Sequence, residues 1–137
     1  MSKTISIKNE DLFRLYLIVW LIGAIVAFAL QMFIPEIVSD SSVWNFSDGW
    51  QREISLWNLG IIFMIAYSLF INNKEFFRFL TIILTVLSTL LGTNHLISLI
   101  IIQQFALINF LGILINYAAV GFGIYIFYMN KDKPIWK

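Results

Sequence analysis

Long apolar runs, broken by short polar stretches, set the pattern of this chain. The first run, Leu12 to Ile34, follows Asn9-Glu10-Asp11, where Asn9 or Asp11 can cap a helix, and stops at Pro35. The second is Ile54 to Ile71, with Asp48 and Gln51 spaced as a capping box for its first turn. Phe76 to Ile102 is the third and Phe105 to Tyr128 the fourth, joined by a predicted turn at Gln103-Gln104; Asn130 to Pro134 ends the last. A helix of ~20 apolar residues crosses the ~30 Å hydrocarbon core of a bilayer. The pattern predicts an all-α, polytopic membrane four-helix bundle in one domain, with spans near 12–34, 54–71, 76–102 and 105–128. Ala27-Phe28-Ala29 resembles a signal cleavage site, but the apolar run continues to Ile34, so a retained first span is expected.

Two runs carry a second periodicity. Thr81, Thr85, Ser88, Gly92 and His95 fall on one face of the third helix, and Asn109, Gly112, Asn116, Ala119 and Gly123 on one face of the fourth. Lipid tails are as apolar as leucine, so membrane helices associate through close backbone approach and buried polar groups. The stripes are expected to face the bundle interior. Antiparallel pairing about the Gln103-Gln104 turn sets His95 near Gly112 and Gly92 near Asn116. Thr81, Thr85, Ser88 and Gly123 read as packing positions, since Ser and Thr in such helices bond to their own backbone.

Charge orients the bundle. Lys3, Lys8 and Arg14, then Lys74 and Arg78, then Lys131, Lys133 and Lys137 share one side of a four-span chain, against Arg52 alone on the other. The positive-inside rule puts both termini in the cytoplasm of a multi-pass inner-membrane protein. Composition agrees: 60% of the 137 residues are hydrophobic and 12% charged, where soluble domains run near a quarter charged. A net charge of +1 gives no reason for a nucleic-acid partner. The absence of Cys excludes disulfides, thiolate metal sites and thiol nucleophiles.

Chemistry is then confined to the spans and the long loop from Pro35 to about Arg52. That loop carries Trp44, Phe46 and Trp50, which read as an interfacial aromatic belt before they read as a lid. Ionisable or amide groups within spans are costly and face a cavity or a partner. Glu53, Asn58, Asn94, His95 and Asn109 are such groups, and a 1.5 Å rise per residue brings several to comparable depth. An outer-half polar pocket is expected from them, with Glu53 at the mouth, His95 at the floor, and Trp50 and Trp57 beside it. On a helical wheel Glu53 and Trp57 share a face while Asn58 points about 140° away. One His without Cys is too few ligands for a zinc site, and no cofactor is assigned.

The stretches Gly49-Trp50-Gln51-Arg52-Glu53-Ile54-Ser55-Leu56-Trp57-Asn58-Leu59-Gly60 and Leu91-Gly92-Thr93-Asn94-His95-Leu96 resemble the DoxX-like family of small bacterial four-helix membrane proteins. Gln51, Glu53, Asn58 and His95 match that family's motif positions. The resemblance implies a four-helix membrane fold of largely unassigned function, with relatives that accompany quinone or thiol redox systems. The family's Pro-Gly-Asn segment and acidic residue near the fourth helix are replaced here by Gln103 to Phe110 and Asn116.

Three functions fit. The first is binding or transport of a small amphipathic molecule in the outer-half pocket. The second is a redox-associated enzyme or subunit, Glu53 and His95 exchanging protons with a quinone-like substrate among Trp50, Trp57 and Tyr117. The third is an assembly subunit using its stripes on a membrane partner or a second copy. Topology is testable at once: single cysteines replacing Ser2 and Lys137 are expected to label from the cytoplasmic side alone. Labelling from opposite sides would reject the four-span arrangement.

Overall fold

The computed structural model describes residues 9–44 and 47–131. Lys3, Lys8, Lys133, Pro134 and Lys137, as well as Phe46 of the long loop, lie outside the described residues. The chain is helical: α1 (Asn9–Phe33), the short α2 (Pro35–Asp40), α3 (Asp48–Ile71), α4 (Lys74–Ile102) and α5 (Leu107–Met129). Residues Asp11–Phe33 of α1, and all of α3, α4 and α5, are long and apolar enough to cross a membrane, with mean hydropathies of 1.8 to 2.3. The chain is therefore a multi-pass membrane protein. At 29 residues α4 is ~43 Å long, more than the hydrocarbon core requires, so its ends reach the headgroup layers.

Helix ends differ from the sequence expectation where polar residues join a helix. The first helix already includes Asn9, which puts Asp11 inside it rather than at its cap. Pro35 both follows the end of α1 and opens α2, a place where its missing N–H costs nothing. The capping box at Asp48 and Gln51 does not form. Ser47 is the N-cap and makes no side-chain cap bond, Asp48 begins the helix, and the backbone N–H of Gln51 donates to Ser47 O at 2.9 Å. At α4 the capping is conventional: Asn73 Oδ1 accepts from Phe76 N at 3.0 Å. Gln103 ends α4 in a left-handed conformation (φ 53°), and α5 starts at Leu107 rather than Phe105.

The helices pack chiefly as two pairs, α1 with α3 and α4 with α5, and α1 bridges them. Only Asn72 and Asn73 separate α3 from α4, yet those two helices make little contact. The apolar core gathers Phe13, Tyr16 and Leu17 of α1, Ile65 of α3, Phe77, Leu80 and Leu84 of α4, and Ile126 of α5. All belong to the end of the bundle that carries the termini. The opposite end, here called the loop end, buries more polar groups, among them Gln51, Ser55 and Asn109.

A hydrogen-bond relay ties α1 to α4. Trp20 Nε1 donates to Tyr16 Oη (3.2 Å), which lies 3.1 Å from Thr85 Oγ1, which donates to Thr81 O (2.7 Å). Since the Thr85 hydroxyl proton is committed to Thr81, the Tyr16 hydroxyl donates to Thr85. The relay passes where Gly123 of α5 leaves room, for a Cβ there would collide with Thr85 Oγ1. Higher along the same seam a Cβ on Gly92 would lie 3.1 Å from Asn116 Cβ, and one on Gly112 2.5 Å from the His95 ring. Both stripes thus face each other in the anticipated register.

Gly123→Ala is expected to cost about 1–3 kcal/mol, because Thr85 is held by two hydrogen bonds and cannot yield without breaking the relay. Gly121→Ala, whose Cβ meets nothing within 4 Å, is the control and should be neutral. Unfolding in detergent followed by circular dichroism compares them; equal losses would show that the seam does not depend on the gap.

Candidate functional site

At the loop end, α5 begins without help from its own N-cap, Ala106, which has no side-chain acceptor. A helix start leaves backbone N–H groups unpaired, and in a membrane protein these need partners from elsewhere in the chain. The α2–α3 connection supplies one: Ser41 O accepts from Ile108 N at 2.9 Å. Asn109 completes the junction, its Oδ1 accepting from Val43 N at 3.0 Å. Within the connection, Ser42 Oγ donates to Ser39 O and accepts from Trp44 N, which curls the segment tightly.

This docking delivers Trp44 to α4. The indole Nε1 donates to Ser98 Oγ at 3.1 Å, and Ser98 Oγ donates to Asn94 O at 2.8 Å. The indole also covers the His95 imidazole, with ring centroids 5.0 Å apart and planes tilted by 37°. Gly112 of α5 closes the other side of the imidazole. His95 is thereby wedged between an indole and a bare helix backbone. Its Nδ1 is buried and has no hydrogen-bond partner among the described residues, nor has Nδ2 of the fully buried Asn109. Neither Glu53 nor an Asn bonds to His95 Nδ1. The approach to Gly112 and the indole both hold the ring against the seam.

Of the sequence-predicted residues, His95 and Asn109 come together under residues 41–44. The rest lie elsewhere. Asn58 Nδ2 donates to Gln31 Oε1 at 2.9 Å, a bond between α3 and α1. Since Asn58 faces α1, the face about 140° away that carries Glu53 and Trp57 points outward; Trp57 is 72% exposed, and Glu53, Trp50 and Asn94 are exposed as well. Among the described residues no hydrogen bond or ion pair joins Glu53 to His95. Tyr117 pairs with Thr93, its Oη 3.2 Å from Thr93 Oγ1.

Sequence reasoning missed Ser98 and Gln31, and placed Trp44 in an aromatic belt ahead of a lid. Ser98 lies three residues beyond His95, on the same helical face, and that spacing was the available signal. Gln31 is a lone amide inside the first apolar run, which signals a partner on another span. Comparison with protein-family models, with curated proteins and with solved structures finds no match. The resemblance to the DoxX-like family is carried by the two short motifs alone.

Asn109→Leu removes the acceptor for Val43 N and is expected to release the 41–44 segment, at a cost of about 1–3 kcal/mol. With Trp20, Trp50, Trp57 and Trp136 changed to Phe, Trp44 reports alone, and its emission should move to longer wavelength in the variant. Emission that stays where it was would show that Asn109 does not hold the segment.

Proposed function

We propose that this protein, oriented with both termini in the cytoplasm of the inner membrane, binds or transports a small amphipathic molecule at the outer end of α4 and α5. The observation that carries the reading is the pair of buried polar atoms beneath the 41–44 segment, His95 Nδ1 and Asn109 Nδ2. A buried polar atom left unpaired costs about 1–3 kcal/mol. A ligand that met both would recover that cost, which is a reason to keep an imidazole and an amide at this depth.

Their chemistry defines what fits. The Asn109 amide N–H is a donor, while His95 Nδ1 accepts or donates according to tautomer. No lysine or arginine belongs to the cluster, so a charged anion lacks a counterion. The matching ligand is neutral, with a hydroxyl, carbonyl or amide head, and carries an apolar body that lies against Trp44. Trp44 and residues 41–44 cover the site, and their few bonds to α4 and α5 make them the part that moves for ligand to pass.

Two observations weigh against the other readings. A proton exchange with quinone needs Glu53 close to His95, and Glu53 stands on the exposed face of α3. Assembly through the small-residue stripes needs those stripes open, and Gly92, Gly112 and Gly123 are used between α4 and α5.

The test uses two probes in detergent, an alkylphenol with a short tail and a short-chain ubiquinone analogue. A specific ligand at one hundred times its dissociation constant stabilises by about 2.7 kcal/mol. The alkylphenol is expected to raise Tm in the wild-type chain, and His95→Phe should abolish the shift while keeping helix content. Equal shifts in wild type and variant reject the site. A shift by the quinone analogue alone, lost in Glu53→Gln, moves the assignment to the redox reading.

A further inference from the structure

Asn58, Asn116 and Asn130 each turn the side-chain N–H back on the carbonyl four residues earlier, and the Asn109 side chain accepts from Val43 N. Asn94 of α4 does neither. Its carboxamide is exposed and makes no hydrogen bond among the described residues. It lies ~12 Å along the axis from the end of α4 at Ile102, and the stretch between is apolar but for His95 and Ser98. A helix of ~43 Å overhangs a ~30 Å hydrocarbon core by ~7 Å at each end, so this amide stands in hydrocarbon. On a helical wheel Asn94 is about 160° from Gly92, which faces α5, so it projects away from α5. Ile83, Val86, Leu90, Ile97 and Ile101 are exposed on the same side, and with Asn94 they recur at spacings of three and four residues.

We propose that two copies of this chain associate through this face of α4, the two Asn94 carboxamides hydrogen-bonded to each other. An amide in hydrocarbon is costly until it is paired, and acyl chains offer it neither donor nor acceptor. A carboxamide carries both, so it is complementary to itself. Copies inserted in the same orientation are related by a two-fold axis along the bilayer normal, and the patch on one meets the same patch on the other. A residue at that axis meets its own counterpart at its own depth, so Asn94 finds Asn94 with no adjustment of height. A single Asn in an apolar helix face fixes register and partner number in paired helices, and hydrogen bonds between helices drive association in lipid. A different protein would have to present an amide at the same depth, which a second copy does by symmetry. The face is distinct from the Gly92 stripe that α5 occupies, and the inference does not rest on a ligand at His95.

The chain has no Cys, so single cysteines report without background. In phosphatidylcholine vesicles, Leu90→Cys and Ile97→Cys, each with Asn94 intact, are expected to form disulfide-linked dimers on mild oxidation. Phe63→Cys and Ile124→Cys, exposed on α3 and α5, should not. Energy transfer between copies labelled at Lys137→Cys, followed as added lipid dilutes the protein, gives the dissociation constant of the pair. Asn94→Leu should raise that constant roughly fivefold to thirtyfold, the factors for ~1–2 kcal/mol of hydrogen bonding between helices. Asn94→Gln keeps an amide and should retain most of the affinity. The Asn94 side chain bonds nothing within its own chain, so Asn94→Leu should keep its helix content by circular dichroism. Cross-linking of equal efficiency at all four positions overturns the proposal, as does a dissociation constant unchanged in Asn94→Leu. Energy transfer absent at every dilution overturns the second copy and leaves the amide to a lipid ester or to another membrane protein.

Discussion

A hydroxyl in hydrocarbon must find a partner inside the protein, and the bond between Tyr16 and Thr85 meets that demand across the two halves of this bundle. Lipid offers no hydrophobic push to bring α1 and α4 together. What holds them is a directional chain from the Trp20 indole through two hydroxyls to a backbone carbonyl, set among Leu17, Leu80 and Leu84. The chain needs Thr85 in one place, and Thr85 can occupy it because α5 presents Gly123 there. Packing of the apolar core and closeness of α4 to α5 are thus one condition.

The same logic acts at the loop end with different parts. There α5 starts with an apolar residue at its cap; the connection between α2 and α3 brings the Ser41 carbonyl to accept from Ile108 N, and Val43 N donates in turn to the Asn109 side chain. A segment recruited to complete a helix start also places an indole over an imidazole. The site at His95 is thus covered by a segment that is anchored on the start of α5. The end that carries the termini differs in kind, for its apolar core is continuous and its cations collect at the rim.

The sequence made the four spans, the antiparallel seam and the pairings of His95 with Gly112 and of Gly92 with Asn116 legible, because each follows from period and chain direction. It did not make the partners of α3 legible. Helical spacing showed that Glu53 and Asn58 point different ways, but not which of them faces α1; the Gln31 amide decides that, and Gln31 attracts no notice in a run judged by hydrophobicity. The polar pocket drawn around Glu53 assumed that residues at one depth share one space. Depth is readable from a 1.5 Å rise, whereas azimuth between helices depends on which pairs pack. Trp44 escaped for a related reason: an irregular loop has no period from which to project where its side chain lands.

The sparing contact between α3 and α4 bears on how the chain enters the membrane during synthesis. Consecutive helices joined by two residues would ordinarily be expected to leave the ribosome as a hairpin, but here the hairpins are α1 with α3 and α4 with α5. In the first, Asn58 of α3 finds Gln31 of α1, and in the second Asn116 Nδ2 donates within α5 to Gly112 O. The first hairpin is complete before α4 has been translated, and can leave the insertion machinery with its Asn58–Gln31 pair already made. Thr85 likewise has its backbone bond to Thr81 before it meets Tyr16. Assembly then reduces to the lateral meeting of two preformed units, where the Tyr16 hydroxyl of the first donates its hydrogen bond to Thr85 of the second.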